Sequence, residues 1–416
     1  SKRFMSKKPI AIVLGGTSPH AILAQKLKAR GYYVILVDYL DNPPAKLHVD
    51  EHIQASTLDK DEVLKIAIEK NANIVISTCI DQANSVCCYV AEKLSLPHPY
   101  SYDTSLKVTD KGLMKGIMKD NNIPTSSYII VDSLETIDWS EISFPAVVKP
   151  VDCNSSKGVR RVDSIEEAKC RIDEAIMLSR TKKAIIEGFN QGYEIQVDCI
   201  STQDGVKVVL TRQKKMIAHS GNEMVLQSRG SIIPAPLDDT LQSQAQTIAE
   251  KIASSFGLAN TPFFYQAIVT DKGIQVLEFA PRIGGGLSYY VIKELAGFDV
   301  VEAAIDSFIG KSIKYDAKSL NKWFSTNLIY MISGEFDHIE GLSELKEDGL
   351  AYEIFTLKSK GTVVDSDMRS SNRVAAFIQV ADSIEELMMK EKLAIDRIEI
   401  KDSKGKELLN RSIYNF

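Results

Sequence analysis

Between Tyr265 and Gly286 the chain reads Tyr265-Gln266-Ala267-Ile268-Val269-Thr270-Asp271-Lys272-Gly273-Ile274-Gln275-Val276-Leu277-Glu278-Phe279-Ala280-Pro281-Arg282-Ile283-Gly284-Gly285-Gly286. Two runs rich in β-branched and aromatic residues flank an Asp-Lys-Gly turn, which commits the stretch to an antiparallel hairpin. The hairpin sets Gln266 and Glu278 on neighbouring strands, where their side chains can converge on a metal ion. Arg282 follows, with three glycines beyond it. A guanidinium beside bare backbone N–H groups suits carboxylate or phosphoryl oxygens.

Far upstream the pattern is different. Ile10 to Leu14 reads as a strand, Gly15-Gly16 as a turn, Pro19 to Arg30 as a helix stopped by Gly31, and Tyr33 to Val37 as the next strand. Ser18 is the expected N-cap, with Pro19 at the first helical position. A strand at Ile74 to Thr78 and a helix at Gln82 to Leu94 continue the alternation, which implies a small parallel α/β domain. Asp38 ends the second strand, where an acid can bind ribose, but Gly15-Gly16-Thr17-Ser18-Pro19-His20 lacks G-x-G-x-x-G. A structural turn bordering a substrate pocket is therefore expected there.

At 416 residues the chain exceeds one ordinary core and implies two or three packed domains. Its 44% hydrophobic and 25% charged residues are those of a globular protein, and no apolar run is long enough to span a bilayer. The basic start leads into a strand rather than a secretory signal, so a cytoplasmic location is expected, without membrane association. The net charge of -5, with no basic block, excludes a nucleic-acid footprint. Six cysteines show no C-x-x-C spacing and read as reduced thiols, most of them buried.

From Thr109 onward a helix through Met118, a break at Pro124 and strands at Tyr128 to Val131 and Ala146 to Lys149 mark a new unit. Capping boxes at Ser164/Glu167 and Ser383/Glu386 announce two later helices. Strand signals near Ser325 to Met331 open a third, mixed α+β region. The expected division is an N-terminal α/β domain over 1–108, a central domain over 109–324 with a lid at about 125–192, and a C-terminal α+β domain over 325–416.

Two further segments carry chemistry. The strand ending at Lys149 precedes Asp152-Cys153-Asn154-Ser155-Ser156-Lys157-Gly158-Val159, a loop of small and polar residues. An ammonium beside such a loop is what holding a triphosphate requires. In Ile185-Ile186-Glu187-Gly188-Phe189-Asn190-Gln191-Gly192-Tyr193-Glu194, an apolar strand ends in acid and a new strand begins at Glu194. A linker of this kind can offer backbone groups to an adenine edge, while a carboxylate at Glu194 can accept from ribose hydroxyls. His219 and Arg229 lie between this segment and the Gln266/Glu278 hairpin, and Arg373 could reach the site from the C-terminal region or serve a salt bridge.

In this order and spacing the segments resemble the ATP-grasp superfamily over nearly the whole chain, closest to carboxylate-amine ligases of the amino-acid ligase type and then to purine-pathway members. The resemblance implies an N-terminal α/β (pre-ATP-grasp) domain, a two-lobed ATP-grasp core and a small C-terminal α+β domain. It implies that Lys111 and Lys149 contact ATP phosphates, that Ser155, Ser156, Lys157 and Gly158 close over them, that Glu187 and Phe189 lie at the adenine hinge and that Glu194 binds ribose. Glu278 would hold Mg2+ or Mn2+ with Gln266. Lys149 and Arg282 would stabilise the transferring phosphoryl group, and Arg282, Gly284, Gly285 and His219 would meet substrate. Most members carry glutamate where this chain has Gln266, and many read Glu-x-Asn-x-Arg where it has Glu278-Phe279-Ala280-Pro281-Arg282. The implied reaction joins a small-molecule carboxylate to an amine with release of ADP and phosphate. The resemblance admits a homodimer. Alternatives are a bicarbonate-activating carboxylase, a purine-pathway-like enzyme, or a catalytically weak ATP-binding protein.

Overall fold

In the computed structural model, which describes residues 7–152, 158–217, 227–365 and 370–414, the N-terminal alternation becomes a parallel sheet. Strands β1 (Ile10–Leu14), β2 (Tyr33–Asp38), β3 (Glu51–Gln54) and β4 (Ile74–Ile76) lie in the order β3-β2-β1-β4, with all described pairings parallel. Residues 11–14 and 34–37 are fully buried, as helices covering both faces of a parallel sheet demand. The helix after β1, α1, spans Ser18–Ala29, so Thr17 rather than Ser18 takes the N-cap position, and its side chain makes no capping hydrogen bond. Pro19 fixes the backbone of the first turn, which explains how the helix starts without that cap. Gly31, at φ +91°, turns the chain back toward β2.

The rest of the front region is α2 (Lys60–Glu69), α3 (Asp81–Leu94), α4 (Tyr102–Thr109) and α5 (Lys111–Asp120). A second, four-stranded sheet follows: β5 (Tyr128–Val131), β6 (Ala146–Pro150), β7 (Arg160–Val162) and β8 (Ala184–Gly188), ordered β5-β8-β6-β7. Helix α6 (Ile165–Leu178) packs on it, and Ser164 accepts from Glu167 N while the Glu167 carboxylate accepts from Asp163 N. The Ser383/Glu386 box caps helix Ile384–Arg397 in the same way.

The largest sheet is antiparallel. Strands β9 (Tyr193–Thr202), β10 (Gly205–Met216), β11 (Ser228–Ile233), β12 (Thr261–Thr270), β13 (Gly273–Ala280) and β14 (Trp323–Tyr330) run in the order β13-β12-β9-β10-β11-β14, continued by Arg373–Ala381 and Glu353–Thr356. The C-terminal region thus extends the central sheet. Its β14 pairs with β11 through Gly230 to Ile233. Helix α7 (Asp239–Phe256) buries Ala245, Ile248, Ala249, Ile252, Ala253 and Phe256 on one face, a helical spacing that aims a single apolar stripe at the sheet. Tyr265, Ala267 and Val269 meet that stripe, leaving Gln266 and its neighbours facing the other way.

Salt bridges dock the N-terminal unit on the centre. Arg30 reaches Asp306 at 2.8 Å and Glu302 at 2.5 Å, and Lys26 reaches Asp299 at 2.8 Å. Those acids lie at or near helix Val300–Phe308. Of the cysteines, Cys87, Cys88 and Cys199 are buried, Cys79 is partly buried and Cys170 is exposed; Cys153 lies outside the described residues.

Candidate active site

The polar face of the large sheet forms a floor. One row across four strands reads Arg212, Gln196, Gln266 and Glu278, each directly opposite the next. Gln266 opposes Glu278 through an irregularity: Ala267 pairs with Val276, Gln266 with Glu278, and Leu277 is an extra residue in the ladder. A bulge of this kind re-aims side chains. Counted back from the Thr270–Gly273 pair without it, Gln266 would meet Leu277, and Glu278 would share the face of Tyr265.

Helix α5 supplies two ammonium groups. Its N-cap Asp110 accepts from Gly112 N and Leu113 N, fixing the first turn, and Lys111 and Lys115 stand one turn apart. Lys111 pairs with Glu278. The Lys111 charge is the largest influence on the Glu278 carboxyl, and against the opposing effect of burial it brings the pKa down to about 2.

Lys115 is buried and donates to Thr125 Oγ1 at 3.0 Å. Thr125 in turn donates to Val276 O at 2.8 Å, tying α5 to the hairpin. Burial lowers the Lys115 pKa, and the nearby Glu187 only partly offsets it. Glu187 Oε1 lies 3.4 Å from Lys115 and 3.3 Å from Lys149. Burial pushes the Glu187 carboxyl up, yet Lys149 and Lys115 carry it below its ordinary value. Lys149 moves the opposite way: burial disfavours its charge, and Glu187 and Glu278 more than compensate.

The expected site residues fall as follows. Lys111, Lys149, Glu187 and Glu278 come together in one charged cluster. Glu194 accepts from Lys214 at 3.1 Å. Oriented by its partners, the Gln266 amide donates to Glu278 Oε1 at 3.0 Å and accepts from Lys214 Nζ at 3.0 Å. Phe189 lies under the Arg161 guanidinium, 4.5 Å from its ring centre. Ser155, Ser156, Lys157 and His219 lie outside the described residues, whereas Gly158, at φ +74°, is buried against Pro150 and Leu178. The Asp152 carboxylate, before that loop, accepts from Arg180 N and Thr181 N.

Arg282 is held by Asp81, the first residue of α3, through Nε at 2.5 Å and Nη2 at 3.4 Å, and its guanidinium lies 5.3 Å from the Phe264 ring centre. The segment around it is pinned by Ile283 N donating to Thr78 O at 3.0 Å and by Tyr100 Oη donating to Pro281 O at 3.2 Å. Beyond it, Gly284 packs closely on two polar side chains: a Cβ there would lie 2.8 Å from Ser288 Oγ and 2.9 Å from Gln196 Nε2, so a larger residue would displace them. Ser288 accepts from Arg212, which is itself clamped by Asp198 through 2.8–3.1 Å contacts.

A cavity of ≈ 560 Å³ opens beside Gly285 and Gly286. Arg212, Lys214, Lys358 and Arg373 line it, and among the described residues no acid does. Arg373 lines the cavity and reaches Tyr330 Oη at 2.8 Å and Gln227 Oε1 at 3.2 Å, with no salt bridge among the described residues. Arg229 instead turns to Glu391 at 3.1 Å, beside Lys215. Lys115, Lys214, Asp81 and Lys358 were not among the expected residues. The helical spacing of Lys111 and Lys115 could have exposed the first; nothing local marks the others.

Residues 109–286 match the family described as "Phosphoribosylglycinamide synthetase, ATP-grasp (A) domain". Those residues are therefore similar to an ATP-grasp domain. The chain is 26% identical over 268 residues to a formate-dependent phosphoribosylglycinamide formyltransferase of Variovorax paradoxus (strain S110), covering 62% of this chain and 65% of that protein. It is 22% identical over 319 residues to the carbamoyl phosphate synthase large chain of Clostridium acetobutylicum, covering 73% of this chain and 29% of that one. Among solved structures, an L-amino acid ligase from Bacillus licheniformis superposes with a TM-score of 0.79 at 20% identity, over 96% of this chain and 100% of its own. A phosphoribosylglycinamide synthetase from Anaerococcus prevotii gives 0.76 at 19%, over 95% and 100%. These likenesses show that the fold of those two proteins runs through nearly the whole of this chain. No helix among the described residues is long and apolar enough to cross a membrane.

Proposed function

We propose that this ATP-grasp protein activates a carboxylate as an acyl phosphate with ATP and joins it to an amine, releasing ADP and phosphate. The observation that carries the reading is the Lys111–Glu278 pair at the edge of the polar floor, with Lys149 held beside Glu187 and Arg282 held by Asp81 close enough for both charges to act on the same carboxylate. A carboxylate is a poor electrophile, and phosphorylation gives it a leaving group. What a protein chiefly supplies to phosphoryl transfer is positioning and charge. In this reading Lys111 and Lys149 hold phosphates, Ser155, Ser156, Lys157 and Gly158 cover them, Glu187 and Phe189 border adenine, and Glu194 binds ribose. Glu187 has a second task here, since its carboxylate holds Lys149 in place.

The Glu278 carboxylate is a donor that suits a hard divalent ion, with the Gln266 amide opposite it. Among the described residues no group of three or more His, Cys, Asp or Glu gathers to hold a metal, so phosphate and water would have to complete the ligand shell. Mg2+ or Mn2+ held by Glu278 beside Gln266, with remaining ligands from phosphate and water, would supply Lewis-acid charge neutralisation. Arg282, oriented by Asp81, then faces the oxygens of the transferred group, and Gly284, Gly285 and His219 border the acceptor. The cationic wall formed by Arg212, Lys358 and Arg373 supports a substrate that carries an additional carboxylate or phosphate.

The division into domains over 1–108, 109–324 and 325–416, the cytoplasmic location, the homodimer and the absence of nucleic-acid partners belong to the same proposal. The chain spans 65% of the length of the curated formyltransferase relative it matches, so the activity rests on its own site. ADP release across a panel of amino acids and other metabolite acids and amines, with mass spectrometry of the products, tests the reading. Magnesium-dependent ADP formation with a new amide supports it; ADP release independent of every acid and amine would reject it.

A further inference from the structure

Lys214 stands on the polar floor one residue past Gln213, whose pairing with Ile195 ends the β9–β10 ladder, and it reaches Glu194 of β9 and Gln266 of β12. Its ammonium lies 3.1 Å from Glu194 Oε1 and 3.0 Å from the Gln266 amide oxygen, and it also lines the ≈ 560 Å³ cavity. The Gln266 nitrogen is turned to Glu278 Oε1 at 3.0 Å. Gln266 thus stands between Glu278, which faces the charged cluster, and the Lys214 ammonium, which is itself paired with Glu194.

We propose that the Lys214 ammonium occupies the charge-neutralising position beside Gln266 that a second divalent cation would need, so that the nucleotide-loaded site holds one divalent ion, on Glu278. The inference rests on the ATP-dependent reading above. An amide oxygen contributes no net charge to a metal, and this one already accepts from an ammonium. A dication bound there would share its oxygen with Lys214 at short range and suffer like-charge repulsion. The carboxylate that could relieve it, Glu194, is paired with the same lysine. Two-metal phosphoryl-transfer sites clamp the reacting oxygens between dications about 3.5–4 Å apart. Here a lysine held by its own partners provides the second positive charge, without metal exchange and open to the cavity where the acceptor binds.

The test counts ions. Mn2+ is titrated into the full chain with a non-hydrolysable ATP analogue, and free Mn2+ is followed by electron paramagnetic resonance. Wild type should retain about one tightly bound Mn2+ per chain, as expected for one hard-cation site completed by nucleotide. Lys214→Met combined with Gln266→Glu, which removes the ammonium and restores a carboxylate, should raise this to about two, with the broadening of a coupled Mn2+ pair. Lys214→Arg, which keeps the cation, should remain at the wild-type count and serves if the double variant does not fold; a gain of a second ion in this variant overturns the proposal. Two tight ions in wild type, or no gain in a folded double variant, also overturn it while leaving the ligase reading intact. No nucleotide-dependent Mn2+ binding in wild type rejects both.

Discussion

Gln266 faces Glu278 across β12 and β13, and it does so because Leu277 is an extra residue in the ladder. That one-residue irregularity brings Glu278 onto the polar face where Lys111 meets it. Glu278→Gln keeps the shape and the hydrogen-bonding capacity but removes the charge. It should lower ATP turnover at ordinary magnesium by about 10²-fold or more, with the metal dependence shifted to higher concentration. Normal magnesium dependence in a folded Glu278→Gln protein would place the metal elsewhere.

Lys149 offers a second test. Its ammonium is held 3.3 Å from the buried Glu187 carboxylate, so it is preorganised rather than free in solvent. Lys149→Met should reduce turnover by about 10²-fold, the scale expected when a preorganised charge is taken from a transition state. Lys115 remains to neutralise Glu187, so circular dichroism should show a retained fold. Unchanged turnover would make Lys149 a structural partner of Glu187 and no more.

The Lys111–Glu278 pair also predicts an acid dependence of stability. The Glu278 pKa is depressed to about 2, below the ordinary carboxylate value, so the unfolded chain binds the proton more readily. The contribution is fully present above about pH 5 and is lost as pH falls toward about 2. Glu278 is more than a third exposed, which screens the effect, so its sign is the measurable quantity. Urea midpoints between those pH values should fall less steeply for Lys111→Met than for wild type; parallel curves would show that Lys111 does not set the Glu278 titration.

Much of this arrangement is legible in the sequence, and the parts that are not share a cause. Alternation in β12 and β13, the turn at Asp271-Lys272-Gly273 and the capping boxes are local signals, and the structure follows them. The bulge at Leu277 is not marked by a glycine or a proline, and an unbroken hairpin would have turned Glu278 away from Gln266. Ser18 and Thr17 are both good N-cap residues, and only the backbone geometry distinguishes them. Asp81 contacts Arg282 across 201 positions, and Lys214 contacts Gln266 through a strand between them. Such pairs arise from sheet order and domain docking, which single-sequence periodicity does not encode. The continuation of the large sheet through β14 escaped for the same reason: the pairing of Gly230 with Asn327 joins segments separated by α7 and the whole hairpin.

The account rests most directly on the identity of the intermediate. With an acid substrate found in the panel and labelled with ¹⁸O in its carboxylate, and with hydroxylamine replacing the amine, the protein should yield ADP, the acid hydroxamate and phosphate carrying one labelled oxygen. The labelled oxygen leaves with the phosphoryl group when the nucleophile attacks the acyl carbon. Formation of AMP and pyrophosphate, or unlabelled phosphate alongside hydroxamate, would contradict an acyl phosphate and with it the roles assigned to Lys149, Glu278 and Arg282.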